Sequence, residues 1–174
     1  LRFRVADDPV VEKNIGRILR EVERLNTFST ALLDYASADA LHLAPADPDA
    51  IWDEVLELER GRLESRALLL QRTRAEPPVR CALDAAQARR LFVELLENAT
   101  EAAPEGTDLA LDSSVTSDGA WSCRLRNAGV ELSPDTLAHA FDLFYSTRAG
   151  SAGIGLALAK RIAEDHDGSL ALES

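Results

Sequence analysis

The stretch Asp84–Ala103, DAAQARRLFVELLENATEAA, gives the clearest prediction of a helix in this chain. Asp84 is able to accept hydrogen bonds from the first free N–H groups, and Gln87 stands where a capping box places its second polar residue. Pro104-Glu105-Gly106 ends the helix, because proline and glycine disfavour its continuation. The spacing of its apolar residues predicts a buried face made of Leu91, Phe92, Leu95 and Ala99.

A polar stripe is predicted on another side of the same helix. Arg90, Glu94, Asn98 and Glu101 recur every three or four residues and therefore share one face. A carboxylate and an amide one turn apart are able to hold Mg²⁺, a hard cation that takes oxygen ligands and keeps several waters. An ordinary solvated helix face has the same composition, so the helix alone leaves both interpretations open.

A small-residue turn, Gly150-Ser-Ala-Gly153-Ile-Gly155-Leu156, leads into a second helix predicted over Gly153–His166 and closed by Gly168. The first N–H groups of a helix have no partner within it and lie at its positive dipole end, so this turn is suited to phosphate. It is neither a Walker loop nor a Rossmann glycine pattern. A plain turn is the alternative interpretation.

The remaining pattern alternates helix and strand irregularly. Asp47 or Asp49 caps a helix predicted to run to about Ser65, with burial expected at Ile51, Val55, Leu58 and Leu63. Strands are predicted at Ala67–Thr73 and Val79–Leu83 around Pro77-Pro78, at Thr107–Val115 and Trp121–Arg126 as a hairpin around Ser117-Asp-Gly119, and at Ser169–Glu173. A polar connection is expected up to Gly150. This order favours an α+β sandwich with helices on one face of a sheet.

The N-terminal part of the chain predicts one long helix, Pro9–Ala36. Its apolar residues alternate steps of four and three, as in a coiled-coil seam: Val11, Ile15, Ile18, Val22 and Leu25, then Phe28, Leu32 and Tyr35. Packing on its own domain and pairing with partner helices both remain open. Pro45 and Pro48 mark Leu41–Asp49 as a linker, so we divide the chain into domains 1–45 and 46–174.

Composition excludes several classes of function. The formal net charge of −11 opposes unaided binding to nucleic acid or to an anionic membrane. Cys81 and Cys123, without metal-ligand spacing, suggest neither a zinc site nor a disulfide framework and fit a reducing cytoplasm. No apolar run reaches the ~20 residues that cross a bilayer, so a membrane anchor of the parent protein is expected outside this stretch.

Four boxes in this order resemble the histidine kinase and Hsp90-like ATPase superfamily, with the Bergerat type of sandwich. Glu94-Leu-Leu-Glu-Asn98-Ala-Thr-Glu-Ala is similar to its N box, and Asn127-Ala-Gly129 to its first glycine box. Phe141-Asp-Leu-Phe144-Tyr145-Ser-Thr resembles the F box, and Ser151-Ala-Gly153-Ile-Gly155-Leu156 the second glycine box. Upstream, Ile18–Leu25 followed by Leu32-Leu-Asp-Tyr-Ala resembles the second helix of a kinase dimerisation hairpin, with nitrogen-regulator-like sensors as the most similar subgroup.

The resemblance implies roles for individual residues in binding ATP and Mg²⁺. Asn98 would coordinate Mg²⁺, Asn127 would meet the adenine amino group, and Gly129 would admit the base. Glu94 would be the base or polar partner that orients an attacking imidazole. Backbone amides around Gly153, Ile154, Gly155 and Leu156 would approach the phosphates. Phe141, Phe144 and Tyr145 would belong to a lid over the nucleotide, and Arg148 would add positive charge near the γ-phosphate.

Three positions depart from the pattern of the superfamily. Asn127 replaces an aspartate, Glu131 replaces the second glycine of its box, and Glu101 stands where many relatives carry a basic residue. A neutral hydrogen bond is typically weaker than a charge-assisted one by about 1 kcal/mol, so a several-fold loss of nucleotide affinity is expected from Asn127.

The resemblance implies a sensor histidine kinase that forms a homodimer through the N-terminal helix and passes phosphate to a response-regulator receiver domain. The phosphoacceptor histidine is expected before Leu1, and a last sheet strand beyond Ser174. His42, His139 and His166 are poor acceptor candidates; His166 is interpreted as an imidazolium at a helix end. A chaperone or DNA-repair ATPase, an anti-sigma-factor type of serine kinase and a catalytically degenerate dimeric scaffold are the alternatives.

Overall fold

A computed structural model describes residues 9–36, 40–129, 131–148 and 151–174. Within these ranges the helices are α1 Pro9–Ala36, α2 Pro48–Leu58, α3 Arg60–Ser65, α4 Ala85–Ala102, α5 Pro134–His139 and α6 Gly155–Asp165, and the strands are β1 Ala44–Ala46, β2 Leu69–Thr73, β3 Cys81–Leu83, β4 Asp108–Val115 and β5 Trp121–Asn127.

Two small sheets form the second layer of the sandwich. In the three-stranded sheet, β4 lies in the middle, parallel to β2 and antiparallel to β5. The β4–β5 hairpin confirms the predicted pairing, with Val115 opposite Trp121 and Gly119 at a φ of 86° in its turn. The two-stranded sheet pairs β1 with β3, antiparallel.

Helix α4 is the centre of the helical layer. It packs against α2, α6 and β5, and Asp84 caps it as predicted by accepting hydrogen bonds from the N–H groups of Ala86 and Gln87. Phe92 stacks on Trp52 of α2 with ring centroids 4.2 Å apart, and both side chains are buried. The predicted α+β sandwich is therefore confirmed.

The predicted buried face of α4 is rotated slightly from the observed one. Phe92 and Ala99 are buried as expected, but Leu91 and Leu95 are only partly buried. Ala88, Leu96 and Thr100 complete the buried face instead.

Several predicted elements need correction. The predicted linker contains β1, a short edge strand, where a proline is tolerated. The predicted helix from Asp47 breaks at Glu59 into α2 and α3, and Leu58 beside the break is 70% exposed. The strands around Pro77-Pro78 join different sheets. The predicted polar connection contains α5, which Ser133 caps.

Residues 169–173 run in irregular backbone and form no strand, contrary to prediction. Alternating apolar residues make a strand only beside a neighbour that offers N–H and C=O groups. Next to this segment, the Leu132 N–H donates to the Ser174 hydroxyl oxygen at 2.7 Å, which is a side-chain contact and not a ladder.

His166 joins the end of α6 to the start of α4. Its Nε2 atom accepts a hydrogen bond from the Asp84 N–H at 3.0 Å, and its Nδ1 atom lies 2.7 Å from the Ile162 carbonyl oxygen. A nitrogen that accepts from an N–H carries no proton, so this ring is neutral with its proton on Nδ1. The interpretation of His166 as an imidazolium was wrong, because the acceptor role is fixed by a backbone donor of another element.

Candidate nucleotide site

The polar stripe of α4 faces the start of α6. Within the stripe, the Asn98 side-chain N–H donates to the Glu94 carbonyl oxygen at 2.7 Å. Because the amide nitrogen donates this hydrogen bond, the Oδ1 atom of the same side chain can act as an acceptor or a metal ligand. Glu94 and Asn98 are also only partly exposed, which the interpretation as a plain solvated face does not predict.

Gly155 brings the N-terminus of α6 against this pair. A Cβ atom at Gly155 would lie 2.4 Å from the Glu94 Oε2 atom and 3.5 Å from the Asn98 amide nitrogen. Only a residue without a side chain leaves this contact undisturbed. Glu94, Asn98 and the start of α6 thus form one cluster, built from two separate stretches of sequence.

The N-terminus of α6 has no side-chain cap. Its N-cap residue is Ile154, which is buried and makes no capping hydrogen bond. The first N–H groups of this helix are therefore left without the side-chain acceptor that an Asp, Ser or Thr would supply. Such an end, with the positive pole of the helix dipole, is suited to bind an anion.

Gly153 holds the F-box segment beside this helix start. It has a φ of 65°, and a Cβ there would lie 2.6 Å from the Tyr145 carbonyl oxygen. The Phe144 N–H donates to the Gly153 carbonyl oxygen at 2.8 Å, and Phe144 itself adopts a φ of 69°. An unusual conformation for a phenylalanine is thus fixed by contact with the glycine turn.

Arg148 links the F-box segment to the far end of the α4 stripe. Its guanidinium donates to the Glu101 carboxylate at 2.6 Å and to the Asn98 carbonyl oxygen at 3.3 Å. The predicted phosphate-binding arginine therefore lies at the site, but it is engaged by a carboxylate of the protein. The pair of Glu101 and Arg148 was not predicted, since these two residues are distant in the chain.

Asn127 and Gly129 lie at the end of β5, near the last turn of α4. A Cβ at Gly129 would lie 3.5 Å from the Ala102 carbonyl oxygen and 3.1 Å from the Asn127 amide nitrogen. Asn127 is exposed, and its Nδ2 atom donates to the Ala128 carbonyl oxygen at 3.1 Å. The predicted base-binding residues therefore stand beside the C-terminal end of the α4 stripe, where Arg148 also lies, and Gly155 stands farther toward its start, beside Glu94.

The aromatic residues around α5 make contacts that sequence reasoning missed. Phe144 is 55% exposed, and its ring centroid lies 5.6 Å from that of Phe28 in α1. His139 hydrogen-bonds to the Asp142 carboxylate at 2.7 Å, and this bond raises the pKa of His139 above its ordinary value. No local pattern of residues indicates this contact, because Phe28 and Phe144 are far apart in the chain.

A metal ion at this site would need ligands beyond protein carboxylates. Among the residues that the structure describes, no group of three or more His, Cys, Asp or Glu side chains is arranged to hold a metal. Mg²⁺ commonly binds through one or two protein oxygens plus substrate phosphates and water. Asn98, which lies beside the uncapped start of α6, fits that mode.

Comparison with known protein families identifies the family to which the chain belongs. Residues 83–174 match the family described as histidine kinase-, DNA gyrase B-, and HSP90-like ATPase. The match covers more than half of the chain, and the chain therefore belongs to this family of ATPases.

The similar proteins are sensor kinases. Sporulation kinase E of Bacillus subtilis is 24% identical over 159 residues, which are 90% of this chain and 21% of that protein. Sensor histidine kinase ZraS of Klebsiella oxytoca is 26% identical over 155 residues, 89% of this chain and 34% of that protein. The chain thus spans about a fifth to a third of the length of these curated relatives.

The fold is also similar to a solved kinase complex. The histidine kinase ThkA, solved with the response regulator protein TrrA, matches 95% of this chain and 48% of its own, with a TM-score of 0.77 and 22% identity. Together with the family match and the named relatives, this fold identifies the histidine-kinase type of ATP-binding catalytic domain. The nitrogen-regulator-like subgroup stays a prediction.

The membrane question has a narrower answer. In the parts of the chain that the structure describes, no helix combines the length and apolar character needed to span a bilayer.

Proposed function

We propose that this chain binds ATP with Mg²⁺ and transfers the γ-phosphoryl group to a histidine that lies outside it. The observation that carries the proposal is the uncapped start of α6, which Gly155 sets directly against Glu94 and Asn98. An anion site beside a carboxylate and an amide suits a nucleotide triphosphate and an attacking base.

Each predicted residue has one task in this proposal. Asn98 Oδ1 holds Mg²⁺, which neutralises charge on the phosphates when bound. The N–H groups at Gly153, Ile154, Gly155 and Leu156 donate hydrogen bonds to phosphate oxygens. Arg148 makes a charge-assisted contact with the terminal phosphate. Asn127 accepts a hydrogen bond from the adenine amino group, Gly129 leaves room for the base, and Phe144 belongs to a lid over the nucleotide.

The transfer needs an imidazole from a phosphoacceptor histidine. Its unprotonated ring nitrogen forms the bond to the γ-phosphorus while the bond to the β–γ bridging oxygen breaks, giving phosphohistidine and ADP. Glu94 accepts a hydrogen bond from the other ring nitrogen and so orients the ring and stabilises its growing positive charge. Most of the acceleration comes from positioning and charge neutralisation.

We also propose the partners and the domain arrangement. The exposed apolar residues of α1 form a homodimer interface within a helical domain, and an aspartate of a response-regulator receiver domain receives the phosphoryl group in the cytoplasm. The chain divides into domains 1–45 and 46–174, and the His42 N–H donates to the Asp84 side chain at 3.0 Å across this boundary.

A second candidate function is a dimeric signalling scaffold without phosphotransfer. The neutral Asn127 and the engagement of Arg148 by Glu101 favour it. The two candidates separate when a histidine-bearing hairpin is supplied with labelled ATP. Labelled phosphohistidine excludes the scaffold, and its absence with nucleotide bound excludes the kinase.

The first test is calorimetric titration with ADP and a non-hydrolysable ATP analogue, with and without Mg²⁺. Asn98→Ala is expected to weaken Mg²⁺-dependent binding at least about tenfold, because an oxygen ligand to a cation is lost. Asn26→Ala, an exposed asparagine of α1, is the matched control and should bind like wild type. Equal affinities of Asn98→Ala and wild type would contradict the assigned role.

A further inference from the structure

Glu101 and Arg148 form an ion pair at one end of the proposed nucleotide site. The pair is partly exposed, with side-chain exposures of 47% for Glu101 and 37% for Arg148, so neither charge is locked in the core. Arg148 is also held by the Asn98 carbonyl oxygen, which belongs to the same residue that we assign to the metal. The arginine therefore lies at the site before any ligand arrives.

The charge of Glu101 acts against a triphosphate in two ways. Its carboxylate competes with phosphate oxygens for the Arg148 guanidinium. A guanidinium forms its strongest paired hydrogen bonds with one anionic group at a time. It also adds a negative charge near an anionic ligand, and partly exposed charges still repel at short range. Arg62 on α3 also feels the field of Glu101, but its direct partner is Glu97.

We propose that Glu101 limits the affinity of this site for nucleoside triphosphates by holding Arg148 away from the terminal phosphate. This inference rests on the proposed function, since it assumes that the site binds ATP. Nucleotide binding then includes the exchange of Arg148 from the carboxylate to phosphate.

The chain offers a matched control for this proposal. Glu97 lies one turn earlier on α4 and pairs with Arg62 instead of Arg148. Its side chain is 37% exposed, similar to Glu101, and Glu97→Gln changes the net charge by the same amount as Glu101→Gln. Comparing the two variants separates the effect of the pair with Arg148 from a general loss of negative charge.

The experiment is calorimetric titration of wild type, Glu101→Gln and Glu97→Gln with ADP and the ATP analogue in the presence of Mg²⁺. Glu101→Gln is expected to bind the ATP analogue roughly two- to fivefold more tightly than wild type, the range of an exposed ion pair. The gain should be smaller for ADP, which lacks the terminal phosphate, and Glu97→Gln should bind like wild type. In an Arg148→Gln background, Glu101→Gln should lose most of its effect.

The outcomes separate the role of Glu101 from the existence of the nucleotide site. If wild type binds the ATP analogue and Glu101→Gln binds no more tightly, Glu101 does not limit affinity, although the nucleotide site stands. Weaker binding by Glu101→Gln would make Glu101 a ligand to the metal or nucleotide and overturn the proposal. Binding of the ATP analogue by Glu101→Gln, with none by wild type, would support the proposal. If none of the folded proteins binds, the proposed function fails, and this inference fails with it.

Discussion

At the scale of single residues, Gly153 and Gly155 have different reasons to lack a side chain. A Cβ at Gly153 would meet backbone atoms of Phe144 and Tyr145, and its φ of 65° disfavours any side chain. A Cβ at Gly155 would meet the end of the flexible Glu94 side chain instead. The first glycine is therefore required by the backbone and the second by the site.

This difference predicts opposite results for two alanine variants. Gly153→Ala is expected to lower the free energy of unfolding by about 2 to 4 kcal/mol, from steric overlap and left-handed strain. Gly155→Ala should leave stability within about 1 kcal/mol of wild type, since alanine favours a helix, but should weaken nucleotide binding because the added methyl group crowds the start of α6, where we place the phosphates. Urea unfolding and calorimetry measure the two effects.

Gly61→Ala serves as the control for both glycine variants. Gly61 lies on α3, and a Cβ added there would meet nothing within 4 Å, so alanine should be neutral or slightly stabilising. Strong destabilisation by Gly155→Ala would show that the contact with Glu94 is rigid, contrary to the prediction.

At the scale of elements, α1 presents an apolar surface without a cover in the described chain. We call its exposed residues the apolar stripe of α1: Ile15, Ile18, Leu19, Val22, Leu25, Leu32 and Leu33. Val22 is 56% exposed and lies in a shallow groove with Ile18 and Leu25. A helix with so much exposed apolar area is stabilised mainly by packing, so a partner helix is expected along it.

Val22→Asp is therefore expected to prevent self-association, because it buries a charge in the proposed dimer interface. Sedimentation velocity should show a dimer for wild type and a monomer for the variant. Leu58→Asp, at an exposed leucine of α2, should leave the dimer intact. A monomeric wild type, or a variant that stays dimeric, would refute the role of the stripe.

At the scale of the whole molecule, one buried ion pair joins the helical layer to the sheet. Asp49 of α2 is 3% exposed and pairs with Arg72 of β2, while its second oxygen accepts from the Ala75 N–H at 3.0 Å. Arg72 also donates to the Ser113 hydroxyl of β4 at 3.0 Å. The network therefore connects three elements that are distant in sequence.

This network predicts a pH-dependent loss of stability. Burial by itself raises the pKa of Asp49, but hydrogen bonds from Ser113, Arg72 and the Ala75 N–H outweigh it and hold the pKa below the ordinary value of 3.8. A lowered folded-state pKa stabilises the protein above the ordinary value, and this stabilisation is lost as the pH falls through the folded-state value. Acid should therefore weaken the junction between the layers.

Asp49→Asn is expected to lower the free energy of unfolding at pH 7 by about 3 kcal/mol, since it leaves the Arg72 charge without its buried partner. The difference from wild type should shrink as the pH falls below 3.8. Asp53→Asn, which removes a more exposed partner of Arg74 and a weaker partner of Arg72 at 3.8 Å, should cost less than about 1 kcal/mol. Urea unfolding at several pH values measures this, and a difference from wild type that does not change with pH would contradict the assignment.

Local sequence was sufficient wherever the determining interactions lie within one element. The bounds of α1, the Asp84 cap of α4 and the β4–β5 hairpin were all predicted, because periodicity, capping and turn residues act over a few positions. The grouping of Glu94, Asn98 and Gly155 was predicted only through the resemblance, since periodicity says nothing about which helices meet.

By itself, then, the sequence determined the fold class and the central helix, and it predicted the residues of the proposed site. Only the tertiary structure decided that β2 and β3 join different sheets, that His166 accepts a hydrogen bond from the Asp84 N–H, and that Arg148 is held by Glu101. The physical reason is that these pairings depend on the distance between groups far apart in the chain. That distance is set by packing of the layers, which no local pattern of residues specifies.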